Sequence, residues 1–463
     1  MRLEKDTLGD VAVPDEALYG AQTQRAVENY PVSGLREHPV FIRSFILLKK
    51  AAALANRDLG ALEPGLADAI VTACDRILRD DGMRVHFVVD VFQAGAGTSF
   101  NMNCNEVIAN LANVALGGAL GAYKPVHPND HVNMSQSTND VFPTAVRIAT
   151  LLLLHDLTVV LDQLCAALAA KGDELADVIK SGRTHLQDAV PVTLGQEFDA
   201  YAAAVRRARR LLCDAADELR ALGIGGTATG TGINTPRGYR HVVVAHLRSL
   251  TGLELSAAGD LREAMQSQLP VAAVSAALRN LALELTRIAN DLRLLASGPH
   301  TGLAEITLPS VQPGSSIMPG KVNPSLLECM NQICFHVIGA DTAVAFAVQA
   351  GQLELNVMMP LMVFEVLFSI EILRNFTPVF TAKCIRGIEA DRERCEAYYI
   401  SSPALATALN PLIGYARAAE IAKESAKSGT PIPQLLREKK LLSEEEIARI
   451  FTPDFLAGQA DRE

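Results

Sequence analysis

The feature that most constrains this chain is a set of long apolar stripes with helical spacing. Starting at Val146, apolar residues recur at every third or fourth position, which is the spacing of one face of an α-helix. This first stripe contains Ala149, Leu153, Leu157, Val160, Leu164, Ala167 and Leu168. Similar stripes fill residues 196–222, 268–297, 326–350 and 357–376. The pattern predicts long helices in all five segments.

The length of these stripes indicates how the helices pack. A helix of about 25 residues is about 40 Å long, because each residue adds about 1.5 Å. Several of the stripes are apolar on more than one side, so we expect their surface to continue into an interface between subunits. The periodicity therefore predicts a mainly α fold with a central bundle of long helices.

The distribution of these stripes divides the chain into three predicted domains. Residues 1–139 have shorter segments and more loops, which predicts an N-terminal mixed helical domain. Residues 140–393 carry the long stripes and are predicted to form the central long-helix bundle domain. Residues 394–463 are predicted to form a small C-terminal helical domain, in which Ser443 and Glu446 fit a capping box.

Charge, cysteine content and the first residues exclude several classes of function. The net charge is −10, which argues against sequence-independent binding of nucleic acid, since that needs clustered Lys and Arg. The chain starts without the apolar core of a secretory signal. Its most apolar stretches, 150–161 and 357–370, are interrupted before the ~18 residues of a membrane span. With single, scattered cysteines, these features predict a cytoplasmic protein with reduced thiols and no membrane partner.

Three motif-like segments are weak matches to known binding sites. The segment from Gly314 to Lys321 has five residues between its glycines and Val322 after the lysine, whereas a phosphate loop needs four residues and then Ser or Thr. Residues 223–228, GIGGTA, follow a helical pattern rather than the strand of a dinucleotide-binding motif, so a loop between helices is favoured.

His127 and His131 have the spacing of two zinc ligands on one helix. Pro128 directly follows the first histidine and argues against an established helix, and no third ligand is evident. The sequence therefore predicts no metal site.

Four polar clusters interrupt the apolar helices and form the candidate functional site. They are QAGAGTSFNMNCNE (93–106), HVNMSQSTND (131–140), SGRTHLQD (181–188) and PGSSIMPGKVNP (313–324). Each cluster taken alone could be a set of turns and helix caps, where Ser, Thr and Asn are common. Together, their hydroxyls, amides and one ammonium could bind a small polyanion such as a dicarboxylate. Residue chemistry alone favours His185 as acid or base and Lys321 as a carboxylate clamp.

The four clusters together resemble the aspartase/fumarase superfamily. The resemblance extends from YGAQTQRAVENYP (19–31) to LNPLIGYARAAEIA (409–422), and GSSIMPGKVNP is the superfamily's signature loop. Within the family, GAGTS (95–99), STND (137–140) and GRTHLQDAVPVTLGQEFDAY (182–201) look like aspartate ammonia-lyases. The resemblance implies a three-domain fumarase/aspartase-like fold, a homotetramer with a twenty-helix core, and active sites shared between subunits.

The resemblance also implies a reaction, which is the reversible elimination of ammonia from L-aspartate to give fumarate. It replaces His185 by Ser315 as the base that removes the Cβ proton, on a loop that closes over the substrate. Donors to the β-carboxylate, which becomes enediolate-like, would be Thr98, Ser137, Thr138 and Ser316. The α-carboxylate would be held by Lys321, Asn323 and Thr184. Asn139 and His185 would face the amine, with Glu328 as the acid that partners the histidine. No cofactor is implied.

Other readings of the resemblance stay open at this point. Fumarate hydratase or another lyase of substituted succinates would need few different contacts. A catalytically silent scaffold should have lost the polar residues, which are present, and a simple dicarboxylate-binding module would not need a mobile serine loop. His300 stands where relatives usually carry Arg, and Met359 where aspartases usually carry Glu.

Overall fold

The computed structural model describes residues 1–457, and the last six residues of the predicted C-terminal domain lie outside the described part. The five predicted stripes are all helical, which confirms the mainly α prediction. They form α5 (Thr138–Glu174), α6 (Leu194–Asp217), α9 (Leu269–Leu295), α10 (Ser325–Gln349) and α11 (Met359–Lys383).

Shorter helices make up most of the remaining structure. Before and between the long helices lie α1 (Ala21–Asn29), α2 (Pro39–Asp58), α3 (Pro64–Arg79), α4 (Thr98–Ala115), α7 (Tyr239–Thr251) and α8 (Leu261–Gln266). After them lie α12 (Arg392–Ser401), α13 (Asn410–Ile413), α14 (Tyr415–Ser428), α15 (Ile432–Glu438), α16 (Glu444–Ile450) and α17 (Pro453–Leu456). The predicted capping box of Ser443 and Glu446 is confirmed at the start of α16.

Four small two-stranded sheets accompany the helices. The pairs are β1 (Arg2–Asp6) with β2 (Gly9–Val13), β3 (Ile179–Thr184) with β4 (Gln187–Thr193), β5 (Ala221–Leu222) with β6 (Ser256–Ala257), and β7 (Ile306–Thr307) with β8 (Glu389–Ala390). All are antiparallel except β5 with β6. The β3–β4 hairpin was not predicted from the sequence, in which residues 181–188 were identified only as a polar cluster between helices. The register shifts between Ser181 and Arg183, so the hairpin accommodates this irregular sequence.

The described residues group into two compact units. Unit one comprises residues 1–157, 210–280 and 335–373. Its core contains an aromatic cluster in which the Phe41 ring centroid lies 5.0 Å from that of Phe142 and 5.4 Å from that of Phe100. These rings fix α2, α4 and the start of α5 against one another, because buried aromatic pairs pack in offset or edge-on geometry.

Unit two comprises residues 158–209, 281–334 and the described residues from 374 onward. Its C-terminal part has a separate hydrophobic core formed by Leu405, Leu409, Ile421, Leu435, Leu436 and Ile447. Ile179 of β3 belongs to the same cluster, so the β3–β4 hairpin is packed on the C-terminal helices. The predicted boundaries at residues 139 and 393 stay predictions.

Three of the long helices keep much of their apolar surface uncovered within one chain. By length and composition alone, α5, α9 and α10 could cross a membrane. This differs from the prediction that the stretch 150–161, which lies in α5, is interrupted before the length of a membrane span. Of their most apolar windows, 50%, 44% and 33% respectively are buried. A single chain therefore leaves a large apolar helix surface without a covering partner.

Candidate active site

The predicted site residues lie in both units. Unit one carries Thr98, Ser137, Thr138 and Asn139. Unit two carries Thr184, His185, Ser315, Ser316, Lys321, Asn323 and Glu328. Each group has its own local geometry.

Thr98 is the exposed first residue of α4 and follows a tight turn at residues 95–97. The Ala96 N–H donates to the Val357 carbonyl at 2.7 Å, which fixes the turn. Gly97 has a φ of 80°, and a Cβ there would lie 2.0 Å from the Phe142 ring. Only glycine fits this position, so backbone conformation and packing together place Thr98 at the helix start.

Residues 137–139 form the turn that begins α5. The Ser137 Oγ accepts a hydrogen bond from the Asn139 N–H at 3.2 Å, as in a serine helix cap. The largely buried Thr138 Oγ1 accepts from the Asn101 amide at 2.9 Å. The half-buried Asn139 donates from Nδ2 to the Ala228 carbonyl at 2.9 Å. All three side chains are therefore oriented by neighbouring groups in unit one.

A buried lysine is connected to this turn by hydrogen bonds. The Lys49 ammonium donates to the Asn133 Oδ1 at 2.9 Å, and Asn101 donates to the same oxygen at 3.3 Å and to Thr138. Burial lowers the pKa of Lys49 to about 7. The network links the position of Thr138 to a lysine that sequence reasoning did not single out.

Asp140 is a second group that sequence reasoning missed. Its carboxylate is fully buried and accepts from the Ser137 N–H at 2.9 Å, the Gly225 N–H at 3.0 Å and the Thr227 N–H at 2.9 Å. Burial raises the pKa of this carboxyl to about 7, while the three backbone donors act in the opposite direction. The sequence signal was its place at the end of STND, but its backbone partners could not be read from sequence.

In unit two, Thr184 and His185 lie at the tip of the β3–β4 hairpin. Thr184 pairs with Gln187, leaving the two-residue loop His185–Leu186. Both loop residues have positive φ, 56° and 58°, as a type I′ turn requires. Glycine and asparagine are usual there, so two bulkier residues indicate local strain, which is often found at functional sites. Both side chains are exposed.

Strand β3 of this hairpin is held by a buried ion cluster. Glu305 is fully buried and accepts from Arg183 on both carboxylate oxygens, at 2.9 and 3.0 Å. Lys180 lies 3.2 Å from Glu305 and 2.7 Å from Glu197. Because a buried carboxylate needs such compensation, the pairing fixes the hairpin that carries Thr184 and His185.

The signature loop, residues 313–324, has no regular secondary structure, as its composition predicts. The Ser315 Oγ accepts from the backbone N–H groups of Ile317 at 3.2 Å and Met318 at 2.9 Å. The Gly314 N–H donates to the Lys321 carbonyl at 2.9 Å, closing the loop on itself. A Cβ at Gly314 would lie 2.4 Å from that carbonyl, so glycine is required for the closure.

The remaining loop residues differ in exposure. Ser316 and Lys321 are exposed, and the Lys321 ammonium forms no ion pair within residues 1–457. Asn323 donates from Nδ2 to the Gly314 carbonyl at 2.6 Å, so part of its hydrogen-bonding capacity supports the loop itself. Glu328, on the first turn of α10, lies 4.0 Å from Arg293, and its predicted pairing with His185 stays a prediction.

The weaker motifs take ordinary structural forms. Residues 223–228 form a loop after the two-residue strand β5, which directly follows a helical segment. A short π-helical turn, Pro128–Val132, begins after His127 and contains His131, whose Nδ1 accepts a hydrogen bond from the His127 N–H. Within residues 1–457, no group of three or more His, Cys, Asp or Glu side chains is arranged to hold a metal ion.

Two family models and several curated proteins match this chain. A family model described as Lyase matches residues 9–339, and one described as Fumarase C C-terminus matches residues 405–458. An aspartate ammonia-lyase of Helicobacter pylori is 48% identical over 98% of this chain and 97% of its own length.

Solved structures give the same result for the fold. A crystal structure described as fumarate lyase:delta crystallin from Brucella melitensis bound to cobalt superposes with a TM-score of 0.94, 49% identity and 98% coverage of both chains. A class II fumarase from Schistosoma mansoni gives a TM-score of 0.92 at 35% identity, again covering 98% of both chains. The fold class predicted from the sequence is confirmed.

Proposed function

Because the chain belongs to the aspartase/fumarase superfamily of lyases, we propose that it catalyses the reversible elimination of ammonia from L-aspartate to give fumarate. Near-full-length identity with aspartate ammonia-lyases is the observation that carries this choice. Fumarate hydratase is the second candidate, favoured by the close structural likeness to a class II fumarase, but sequence identity to that protein is lower, at 35%.

The proposed base is Ser315, which removes a proton from Cβ. A serine hydroxyl is a weak base unless its anion is stabilised. The Ile317 and Met318 N–H groups already donate to its Oγ, which supports this role because the same donors would stabilise an alkoxide. Lys321 lies exposed on the same loop and adds positive charge.

Loss of the proton leaves negative charge on the β-carboxylate, in an enediolate-like intermediate. Neutral donors aimed at that carboxylate stabilise the transition state without adding a competing charge. In this proposal the β-carboxylate is bound by Thr98, Ser137, Thr138 and Ser316, and the α-carboxylate by Lys321, Asn323 and Thr184. Asn139 and His185, with Glu328 behind the histidine, face the amine, which leaves as the Cα–N bond breaks.

Each of these steps is a proton transfer, a bond cleavage or an electrostatic contact. The proposal therefore includes no metal and no organic cofactor. Loop closure brings Ser315 to the substrate and excludes water. The hydrogen bonds from Gly314 to Lys321 and from Asn323 to Gly314 support movement of the loop as one unit.

The proposed assembly is a homotetramer in the cytoplasm, with a twenty-helix core and each active site taking residues from three subunits. The incomplete burial of α5, α9 and α10 supports this assembly, since subunit contacts would cover their apolar surface. Because these subunit contacts would cover the apolar surface of the three helices, the proposal needs no membrane partner. The net charge of −10 agrees with the absence of a nucleic-acid partner.

A direct assay tests the activity. Purified protein is mixed with L-aspartate or L-malate, and fumarate is followed by its ultraviolet absorbance. We expect fumarate from L-aspartate with equimolar release of ammonia, and little from L-malate. Activity on L-malate alone would replace the proposal by the fumarate hydratase alternative.

A further inference from the structure

A chain of hydrogen bonds connects the fully buried Lys49 to Thr138, one of the residues proposed to bind the β-carboxylate. We propose that Lys49 is a positioning residue, which fixes the direction of these hydrogen bonds so that the Thr138 hydroxyl donates to the substrate. The inference rests on the proposed function, because that function assigns Thr138 to the β-carboxylate. Lys49 lies on α2, outside the four polar clusters identified in the sequence.

Lys49 determines the direction at one end of this chain. An ammonium has three N–H donors and no acceptor, so its hydrogen-bond partner must be an acceptor. Within residues 1–457, the single hydrogen bond of Lys49 is to the Asn133 Oδ1 at 2.9 Å. The other end of the Asn133 amide, Nδ2, donates to the Gln136 carbonyl at 3.3 Å. Both ends of this amide therefore hold its oxygen toward Lys49.

Asn101 transmits the direction to Thr138. Its Nδ2 donates to the Asn133 Oδ1 at 3.3 Å and to the Thr138 Oγ1 at 2.9 Å. A flipped Asn101 would place its own oxygen against the Asn133 oxygen, and two acceptors form no hydrogen bond. Within residues 1–457, the Asn101 Oδ1 has no hydrogen-bond partner, so both side-chain bonds of this residue depend on Nδ2.

The result is a Thr138 hydroxyl whose proton is available to the substrate. A hydroxyl has one proton, and the Thr138 Oγ1 already accepts from Asn101, so the proton is free for another acceptor. An ionised carboxylate is such a partner, because it only accepts hydrogen bonds. If Asn101 presented its oxygen instead, Thr138 would donate to Asn101 and not to the β-carboxylate. Lys49 therefore acts on the substrate through two amides and one hydroxyl.

The charge of Lys49 depends on buried neighbours from three other helices. Burial lowers the pKa of Lys49 to about 7, while Cys104 of α4, Asp140 of α5 and Cys74 of α3 act in the opposite direction. Burial raises the pKa of both thiols, so they are neutral at neutral pH. The donor-only ammonium predominates below the pKa of Lys49, so the test is carried out at about pH 6.5.

Two substrate analogues separate the proposed role from general damage to the site. Succinate presents carboxylates, which only accept hydrogen bonds, whereas L-asparagine has an amide in place of the β-carboxylate, and an amide both donates and accepts. If the direction of the chain is lost, Thr138 no longer donates to succinate but can still accept from the amide. Both compounds are measured as competitive inhibitors of L-aspartate elimination, and the ratio of their inhibition constants, succinate over L-asparagine, reports the direction.

Lys49→Met removes the donors and keeps a long, flexible side chain in the buried space. We expect the ratio to rise about 10-fold, the effect of losing one hydrogen bond to a charged group, and kcat for L-aspartate to fall by a similar factor. A purely structural role would weaken both inhibitors alike and leave the ratio unchanged. A second variant, Lys49→Gln, keeps a polar partner for Asn133 even if Lys49→Met does not fold. Its amide can donate or accept, so we expect the ratio to rise about threefold.

Lys50→Met is the matched control for these variants. Lys50 is the next residue of α2, and its ammonium pairs instead with Asp75 at 2.6 Å, so the ratio should stay within about twofold of wild type. An unchanged ratio in the folded Lys49 variants, or an equal rise in the control, overturns the inference alone. Wild-type protein that releases no fumarate from L-aspartate overturns the proposed function and the inference with it.

Discussion

Among single residues, Ser315 lies on an exposed loop, and its Oγ accepts hydrogen bonds from two backbone N–H groups. Removing the hydroxyl removes the proposed base but none of the loop-closing bonds, which are made by Gly314, Lys321 and Asn323. We therefore expect Ser315→Ala to lower kcat by about 10³-fold, with an unchanged circular dichroism spectrum. The measurement is steady-state release of fumarate.

Ser310→Ala provides the control for this variant. Ser310 is exposed just before the loop and has no proposed role, so kcat should stay within about twofold of wild type. A Ser315→Ala protein with normal kcat would remove this serine from the chemistry.

A buried acid that accepts a hydrogen bond from Gln93 gives a second residue-level prediction. Burial raises the pKa of Glu37 to about 8, and the neighbouring Asp90 charge acts in the same direction. Between its ordinary value of 4.5 and 8 the folded protein binds a proton that the unfolded chain releases, so the free energy of unfolding falls as the pH rises through this window. The free energy of unfolding of the wild type should fall by about 3 kcal/mol between pH 5 and pH 8 because of this group, and Glu37→Gln should not show this fall.

Chemical denaturation of the wild type and the variant at both pH values measures this difference. Gln93 donates to Glu37 at 2.9 Å and can donate equally to a glutamine oxygen, so the variant keeps this contact. Glu28→Gln, an exposed carboxylate in the same unit, should follow the wild-type pH dependence. Parallel curves for the wild type and Glu37→Gln would contradict the assignment.

The residues of the candidate site were partly predictable from the sequence. Lys321 was found because the polar composition of residues 313–324 suits a small polyanion, whereas Ser315 as the base came only from the resemblance to the superfamily. Asp140 and Ala228 were not found, because their importance depends on backbone groups that are distant in the sequence. A carbonyl or N–H has no residue-type signal, so such partners appear only in three dimensions.

Among elements, the β3–β4 hairpin carries strain in its two-residue loop. Leu186 is 72% exposed, so its side chain gives up little packing when it is removed. A left-handed conformation costs about 1–2 kcal/mol for a residue with a Cβ, and glycine avoids this cost. We expect Leu186→Gly to raise the free energy of unfolding by about 0.5–1 kcal/mol, after allowing for the greater freedom of glycine in the unfolded chain.

The β1–β2 hairpin offers a matched control for this prediction. Leu8 is 79% exposed in its two-residue loop and lacks the positive φ of Leu186. Leu8→Gly should therefore destabilise slightly, since only the unfolded-state effect remains. Equal changes in the two variants, measured by urea denaturation, would show that strain at Leu186 is negligible.

The elements differ in how well the sequence predicted them. The long helices were predicted because about 20 or more positions repeat the same apolar spacing, although α5 begins eight residues before its stripe at Val146 and α11 ends seven residues after position 376. The β3–β4 hairpin was missed because it is short, contains Gly182 and Pro191, and lacks a glycine or asparagine at its turn. Its conformation is set by tertiary contacts, including the Arg183–Glu305 pair, rather than by local preference.

For the whole molecule, the proposed tetramer predicts the effect of a charge on the exposed helix surface. Phe346 and Phe335 of α10 are 63% and 58% exposed in the single chain, and such aromatic residues often dominate subunit interfaces. Phe346→Asp should cost at least about 2 kcal/mol per interface, dissociate the tetramer in sedimentation and abolish activity, with helical content retained.

Leu8→Asp places the same charge on an even more exposed apolar residue outside the long helices. It should leave both sedimentation and activity unchanged. An active, fully assembled Phe346→Asp protein would show that this part of α10 does not form the interface.

The half-covered apolar helices also affect how the protein is made. If the proposed tetramer forms, a folded but unassembled chain exposes apolar surface, and two kinds of encounter then compete for this surface. One leads to the ordered tetramer and the other to an aggregate. Aggregation involves more molecules than the association of two subunits, so its rate rises more steeply with protein concentration. Recovery from denaturant should therefore pass through an optimum at intermediate protein concentration, and synthesis in cells should benefit from chaperones that shield the surface until pairing occurs.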